Sequence, residues 1–91
     1  MTIDDRPPAG PVVRTDVTLQ WVGREAILHD GRSGKAHVIN GSAGRLWELC
    51  DGRPFEALVA AFAGLYGREP ETVTDDVRKT LTSFQAMGLL D

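Results

Sequence analysis

The first half of the chain carries a pattern that is typical of β-strands. Apolar residues occupy every second position from Val17 to Trp21, which is the period of a half-buried strand. Two further short segments, Arg24–Asp30 and Lys35–Ile39, flank a dense turn signal with the sequence DGRSG. Strands joined by turns this short are antiparallel neighbours. The pattern therefore predicts a meander of three strands.

After residue 40 the apolar residues recur about every 3.6 positions, as they do on one face of a helix. Asn40 and Ser42 are both suitable N-caps for a first helix, and Gly52 suits the left-handed residue that follows its end. A second helix is predicted to begin around Pro54 and to end before Gly67. Its apolar stripe consists of Phe55, Leu58, Val59, Phe62, Leu65 and Tyr66.

A third helix is predicted after Pro70, with Thr72 or Thr74 as its N-cap and Gly88 at its end. The six segments follow the order β-β-β-α-α-α. We therefore predict an α+β fold like a winged helix-turn-helix, in which a three-stranded antiparallel sheet is followed by three helices. The apolar stripe of the third helix consists of Val73, Val77, Leu81 and Phe84.

The length and composition indicate one globular domain. The chain has 91 residues, of which 42% are hydrophobic and 25% are charged, and these are ordinary values for a folded domain. Several prolines and a glycine among the first eleven residues disfavour regular structure there. We predict a flexible N-terminal tail over residues 1–11 and a single domain over residues 12–91.

Simple sequence features exclude several cellular contexts. The single cysteine excludes an internal disulfide framework. No apolar run approaches the roughly 20 residues that a bilayer requires. The first residues, MTIDDRPPAG, lack the basic and apolar regions of a signal peptide. We therefore expect a cytoplasmic protein with no membrane partner.

The distribution of charge argues against a nucleic-acid partner. The net charge is −3, and the acidic excess lies in the second half of the chain. Proteins that bind DNA or RNA concentrate positive charge to displace counterions from phosphates, and no such cluster is visible. A winged-helix DNA-binding regulator nevertheless stays open as an alternative, because the predicted fold is common to such proteins.

No motif for catalysis, a metal or another cofactor emerges from the chain. His29, His37 and Cys50 lack the HxxxH or CxxC spacing that would place two metal ligands on one face. Cys50 lies on an apolar stripe, where a free cysteine usually behaves as a small hydrophobic residue. The GxxGK sequence at residues 31–35 precedes a strand, whereas a phosphate-binding loop opens a helix. We therefore expect no enzyme activity, no metal and no cofactor.

The segment Lys35–Gly52, KAHVINGSAGRLWELCDG, resembles the signature region of the PqqD-like family, the small precursor-peptide recognition domains of peptide-modifying pathways. The matching features are a strand that ends in Ile-Asn, small residues that open a helix, a Leu-Trp-Glu-Leu segment and an Asp-Gly stop. An Asp-Val pair at residues 76–77 and the Gly-Leu-Leu ending match as well. The resemblance covers residues 17–91. It departs from the family pattern at Gly41, where proline or a polar residue is usual.

The resemblance implies a peptide chaperone that binds the leader of a ribosomally made precursor peptide. The leader would add as a strand between the third strand and the third helix, and would be presented to a modifying enzyme such as a radical-SAM enzyme or a cyclase/protease. A plain docking module of an enzyme complex is a further alternative. For Val73 and Val77, a place in the core competes with a place in the site. The peptide-binding residues are then expected to be Lys35, Ala36, His37, Val38, Ile39, Val73, Asp76, Val77, Lys79 and Thr80.

Overall fold

A computed structural model describes residues 10–91, in which the three predicted strands form one antiparallel sheet. The strands β1 (Val17–Val22), β2 (Glu25–Asp30) and β3 (Ala36–Asn40) lie in the order β1-β2-β3. Both β2 and β3 begin one residue later than predicted, and β3 extends one residue further. The predicted meander is confirmed, and it leaves β1 and β3 as the two edges of the sheet.

Three helices follow the sheet: α1 (Gly41–Leu49), α2 (Phe55–Leu65) and α3 (Pro70–Ala86). The α+β class with strands before helices is therefore confirmed. Helix α3 packs against α2, while α1 packs against α2 and against the sheet at β2 and β3. Within residues 10–91, no helix is long and apolar enough to cross a bilayer.

Helix α1 begins directly at the end of β3, and the sequence explains why. The Asn40 side chain caps the helix, because its Oδ1 accepts a hydrogen bond from the Ala43 backbone N–H at 2.8 Å. Ser42 is not the cap; its hydroxyl donates to the same Asn40 oxygen at 2.9 Å. Gly41 is required by a close approach, since a Cβ there would lie 2.5 Å from the Arg24 carbonyl oxygen.

Helix α3 begins earlier than the sequence predicted. Neither Thr72 nor Thr74 is its N-cap, because the helix starts at Pro70 and Glu69 occupies the cap position. Proline fits the first helical position because its missing N–H would have no partner there. The two threonine hydroxyls instead donate to carbonyl oxygens of the preceding turn, at Glu69 (2.7 Å) and Pro70 (2.8 Å).

The core lies between the inner face of the sheet and the three helices. Trp47 of α1 and Phe84 of α3 meet edge to face with ring centroids 5.3 Å apart. Most residues of the predicted stripes are buried, but Leu65 and Tyr66 are 57% and 44% exposed. These two side chains are exposed because α2 ends at Leu65 and the chain then turns away from the core at Gly67, which has φ +61°. The largest fully buried side chains are Phe84, Leu28, Leu46, Leu58, Leu89, Val77 and Cys50.

Arg14 forms a buried ion pair that the sequence did not reveal, and its guanidinium also bonds to the end of the domain. Arg14 and Asp30 are 6% and 7% exposed, and the Arg14 Nη2 donates to Asp30 Oδ1 at 3.0 Å. The same guanidinium donates to the Gly88 carbonyl oxygen at 2.7 Å and to the Asp16 carboxylate at 2.7 Å. All buried side-chain polar atoms of the described residues have hydrogen-bond partners.

The predicted tail can be compared with the structure only at its last two residues, because residues 1–9 lie outside the described part of the chain. Gly10 donates its backbone N–H to the Gly52 carbonyl oxygen at 3.0 Å, and Gly52 donates to the Pro11 carbonyl oxygen at 2.9 Å. Val12 and Val13 then form bridges to Asp51 and Leu90. Residues 10 and 11, which the sequence had placed in the tail, are therefore hydrogen-bonded to the loop after α1.

Candidate functional site

Within residues 10–91, the backbone of β3 is paired on one side only, because β3 is an edge strand of the sheet. The N–H and C=O of one residue point to the same side of an antiparallel strand, and successive residues alternate. Asp30 donates to the Lys35 carbonyl oxygen at 2.8 Å, so Lys35 and every second residue after it face β2. The backbone groups of Ala36 and Val38 therefore point outward at the free edge.

The side chains of β3 divide between the two faces of the sheet. His37 lies opposite Leu28 and Ile39 lies opposite Ala26, and both β2 residues are fully buried. Directly opposed residues share a face, so His37 and Ile39 face the helices. Val38 points to the outer face and is 67% exposed. The inner face of β3 is thus the one that meets the helical layer.

A cleft of about 460 Å³ lies between the end of β3, the end of α2 and helix α3. Its long wall is α3, along which the lining residues run from Thr72 to Thr80. At about 1.5 Å per residue, this wall is about 12 Å long. The lining residues are Asn40, Ser42, Phe62, Tyr66, Arg68, Thr72, Val73, Asp76, Lys79 and Thr80.

The cleft has an apolar patch made by α2 and α3. Phe62 and Val73 are 8% and 4% exposed, while Tyr66 is half-exposed. The rings of Phe62 and Tyr66 are tilted against each other with centroids 5.0 Å apart. An exposed aromatic ring beside buried apolar side chains is suited to cover an apolar group of a ligand.

Besides the Asn40 amide and the Tyr66 hydroxyl, the cleft is lined by three aliphatic hydroxyls and three charged side chains. The hydroxyls of Ser42, Thr72 and Thr80 donate to Asn40 Oδ1 and to the carbonyl oxygens of Glu69 and Asp76. Because each hydroxyl has one hydrogen, these groups can only accept from a ligand. The charged side chains of the lining are Arg68, Lys79 and Asp76, all of them exposed.

The structure gathers only part of the predicted binding set around the cleft. Val73, Asp76, Lys79 and Thr80 line it. Val77, by contrast, is 1% exposed and packs in the core, because it projects from α3 toward the other helices and not toward the cleft. The β3 residues form the adjoining free edge, except that Lys35 lies in the turn before the strand.

Six lining residues were absent from the predicted set. Three of them, Phe62, Tyr66 and Arg68, come from the end of α2 and the loop after it. Their sequence signal, an aromatic pair at i and i+4, is the same one that predicts a core stripe. Only the packing of α2 against α3 shows that this pair borders a cleft. The other three lining residues are Asn40, Ser42 and Thr72.

The residues that were weighed for metal binding or catalysis lie apart from the cleft. His29 is on the outer face of the sheet, where its Nε2 lies 2.8 Å from Gln20 Oε1. Cys50 is buried, and burial raises the pKa of its thiol to about 11, so the thiolate form is disfavoured. Among residues 10–91 no group of three potential metal ligands comes together.

Comparison with solved structures identifies two similar chains. TbiB1, in a complex with the TbiA(beta) leader peptide, is 23% identical with a TM-score of 0.72; the alignment covers 88% of this chain and 94% of that one. Lasso peptide synthetase B1, complexed with the leader peptide, is 23% identical with a TM-score of 0.70; the alignment covers 91% and 99% of the two chains. Both share the fold. Comparison with curated protein sequences gives no match.

Comparison with family models gives a match that spans most of the domain. The model of coenzyme PQQ synthesis protein D (PqqD) matches residues 25–90, which is well over half of the chain. The match includes β2 and β3, all three helices and every residue that lines the cleft. The segment that resembles this family in sequence contains Asn40, which caps α1 and lines the cleft. The chain therefore belongs to the PqqD family.

Proposed function

We propose that this protein binds the leader of a ribosomally made precursor peptide as an additional strand on β3. The observation that carries the proposal is the free edge at Ala36 and Val38, which lies beside a cleft walled by α3. The family assignment supports it, and so do the two similar chains, both of which were solved in complexes with leader peptides. Strand addition to an exposed edge is a recurrent mode of peptide recognition.

The register of β3 predicts which leader side chains enter the cleft. Leader residues opposite His37 and Ile39 share their face and point toward the helices, where the cleft lies. Leader residues opposite Ala36 and Val38 point to the outer face of the sheet. Recognition by side chains therefore depends on alternate leader residues, whichever direction the leader runs.

The energetics require the cleft as well as the edge. The outward N–H and C=O groups of Ala36 and Val38 provide up to four main-chain hydrogen bonds, each contributing about 0.5–1.5 kcal/mol. Micromolar affinity requires about 8 kcal/mol after the cost of ordering the peptide. The main chain alone falls short of this value. We propose that burial of leader side chains against Phe62, Tyr66 and Val73 supplies the remaining binding free energy.

The DNA-binding alternative is disfavoured by the charges on α3. In that function α3 would enter the major groove. Its exposed acids are Glu71, Asp75 and Asp76, against two exposed cations, Arg78 and Lys79. Arg78 is engaged by Asp75 at 3.1 Å, so much of its charge is neutralised. A phosphate backbone would be repelled by this surface, whereas a peptide would not.

We further propose that the protein is non-catalytic and cytoplasmic, and that it presents the leader to a separate modifying enzyme such as a radical-SAM enzyme or a cyclase/protease. The lining of the cleft includes neither histidine nor cysteine. A domain of this kind would hold the leader while the enzyme acts on the rest of the precursor. A plain docking module would need neither the free β3 edge nor the cleft.

Amide hydrogen exchange tests strand addition directly. The ligand is a synthetic leader peptide, taken from a precursor-peptide gene if one adjoins the gene of this protein. Its addition should slow the exchange of the Ala36 and Val38 amides, which have no partner in the sheet. The amides of Leu19 and Trp21 point outward at the opposite edge, on β1, and serve as the matched control. Protection at β1 in place of β3, or at neither edge, would refute the proposal.

A further inference from the structure

Two cations, Arg68 and Lys79, line the cleft in a protein of net charge −3. Five arginines within residues 10–91 form ion pairs with nearby acids, as with Arg45–Glu48 at 3.2 Å and Arg53–Asp51 at 2.9 Å. Neither Arg68 nor Lys79 takes part in an ion pair of the described residues. Both are therefore available to a ligand without first breaking a contact.

Three of the four hydroxyls that line the cleft have no hydrogen left to donate to an anion. Ser42, Thr72 and Thr80 already donate their hydrogens within the chain, so they offer only lone pairs to a ligand. A carboxylate also offers only lone pairs, and it would be repelled by these groups. The donors left in the cleft are the charged side chains of Arg68 and Lys79 and two neutral groups, the Asn40 amide and the Tyr66 hydroxyl, and a carboxylate is bound more strongly by the charged pair. An acidic side chain that enters the cleft is thus directed to the cations.

The spacing of residues along α3 determines which leader position the acidic residue occupies. Val73, in the apolar patch, and Lys79 are six residues apart, or about 9 Å along the helix axis. Leader side chains that share a face lie two residues and about 7 Å apart. The long Lys79 side chain spans the remaining distance. One inward leader side chain can then cover Phe62, Tyr66 and Val73 while the next one reaches Lys79.

We infer that the cleft selects leaders in which an apolar residue and an acidic residue are separated by one residue, with the acid bound by Lys79. The inference rests on the proposed function, because the alternation comes from a leader that is paired with β3. Arg68 lies in the loop before α3, at the other end of the lining from Lys79. Asp76, between them, disfavours leaders with acids at both inward positions.

Selection from a displayed library of random twelve-residue peptides tests the inference without a known leader. The wild-type protein should enrich peptides with an apolar and an acidic residue at i and i+2, in either order. K79M should abolish the acidic enrichment and should weaken a selected peptide's affinity by up to about fivefold. K79E should enrich lysine or arginine at the same position. R78Q is the matched control on α3, because Arg78 pairs with Asp75 outside the cleft.

The V38P variant separates failure of the inference from failure of the proposed function. If selected peptides bind wild type but not folded V38P, and no acidic enrichment depends on Lys79, strand addition stands and the inference is wrong. If selected peptides bind folded V38P as tightly as wild type, strand addition itself is wrong. A library that yields no binder would overturn both. Circular dichroism establishes that each variant is folded.

Discussion

His37 and Leu28 lie directly opposite each other in the antiparallel pair of β3 and β2, in the register whose backbone groups face one another. The next residue, Val38, lies opposite Ile27 but directs its backbone away from β2. Two adjacent residues of one short strand therefore have different roles. One holds the sheet together, and the other is available to an incoming strand.

Proline substitution separates these two roles. Proline removes the backbone N–H and fixes φ. We expect V38P to fold and to lose at least tenfold in leader affinity, because the lost N–H points to the free edge. We expect H37P to lose about 1–3 kcal/mol of stability, because its N–H is used inside the sheet. Circular dichroism and calorimetric titration with the leader measure the two effects. Folded V38P and H37P proteins that both bind like wild type would exclude strand addition at this edge.

The Asn40 cap of α1 leads to a second prediction. Replacing Asn40 by alanine removes the acceptor of the Ala43 N–H and of the Ser42 hydroxyl. We expect N40A to lower the free energy of unfolding by about 0.5–2 kcal/mol. N40D is the matched control, because an aspartate keeps the acceptor and should retain most of the stability. Urea unfolding followed by circular dichroism measures both, and an N40A variant as stable as wild type would contradict the capping role.

The buried ion pair predicts sensitivity to acid. Burial raises the pKa of Asp30, but hydrogen bonds from the Arg32 backbone N–H and the Arg14 guanidinium outweigh this, so the pKa is about 2. Hydrogen bonds from Arg53 also lower the pKa of Asp51 to about 2. A depressed pKa in the folded state means that the unfolded chain takes up the proton first as the pH falls. The stability contributed by these groups is complete above about pH 4 and is lost as the pH falls toward 2.

Thermal unfolding between pH 5 and pH 2 tests this prediction. The unfolding temperature of the wild type should decline below about pH 4. In D30N the decline should be shallower, although Asp51 leaves part of it, and the protein should be less stable at neutral pH because Arg14 loses its buried partner. D75N is the control, since Asp75 is exposed. An identical pH dependence of D30N and wild type would exclude Asp30 as a source of acid sensitivity.

Much of this architecture could be predicted from the sequence because the information is local. The alternation at Val17–Trp21, the turn at residues 30–34 and the Asn40 cap each depend on neighbouring residues, and the structure confirms all three. The start of α3 was misplaced because Thr72 and Thr74 have the side chains of N-caps. Pro70, which fits the first helical position better, had been taken to precede the helix.

The composition of the cleft and the buried pair could not be predicted, because both depend on tertiary packing. Arg14 and Asp30 are 16 residues apart, and hydropathy alone makes both look exposed. Phe62 and Tyr66 share the period of a core stripe, so nothing local distinguishes a cleft from a core. Val77 was expected in the site because of the family resemblance, whereas its periodicity indicated the core, and the packing of α3 buries it there.

Substitution by alanine should have opposite effects on stability at two glycines. An alanine Cβ at Gly41 would lie 2.5 Å from the Arg24 carbonyl oxygen, and a backbone atom cannot move away without a large energetic cost. We expect G41A to destabilise the protein by about 1–3 kcal/mol. Gly64 lies within α2 with no atom within 4 Å of such a Cβ, so G64A should stabilise the protein by about 0.5–1 kcal/mol. Chemical unfolding of the two variants gives the sign of each change, and a stabilising G41A would contradict the close approach.

The Arg14 guanidinium has a consequence for the kinetics of folding. The meander and the successive helices form from contacts between segments that are near in sequence, whereas the bond from Arg14 to the Gly88 carbonyl joins residues 74 positions apart. Closing a long loop costs entropy before the contact is gained, and contacts that are absent from the transition state slow unfolding more than they speed folding. We therefore expect the Arg14 cluster to form late in folding and to lengthen the lifetime of the native state by slowing unfolding. The free edge of β3, where we propose that the leader binds, lies outside this cluster, so variation there can change ligand preference while the domain keeps its resistance to unfolding.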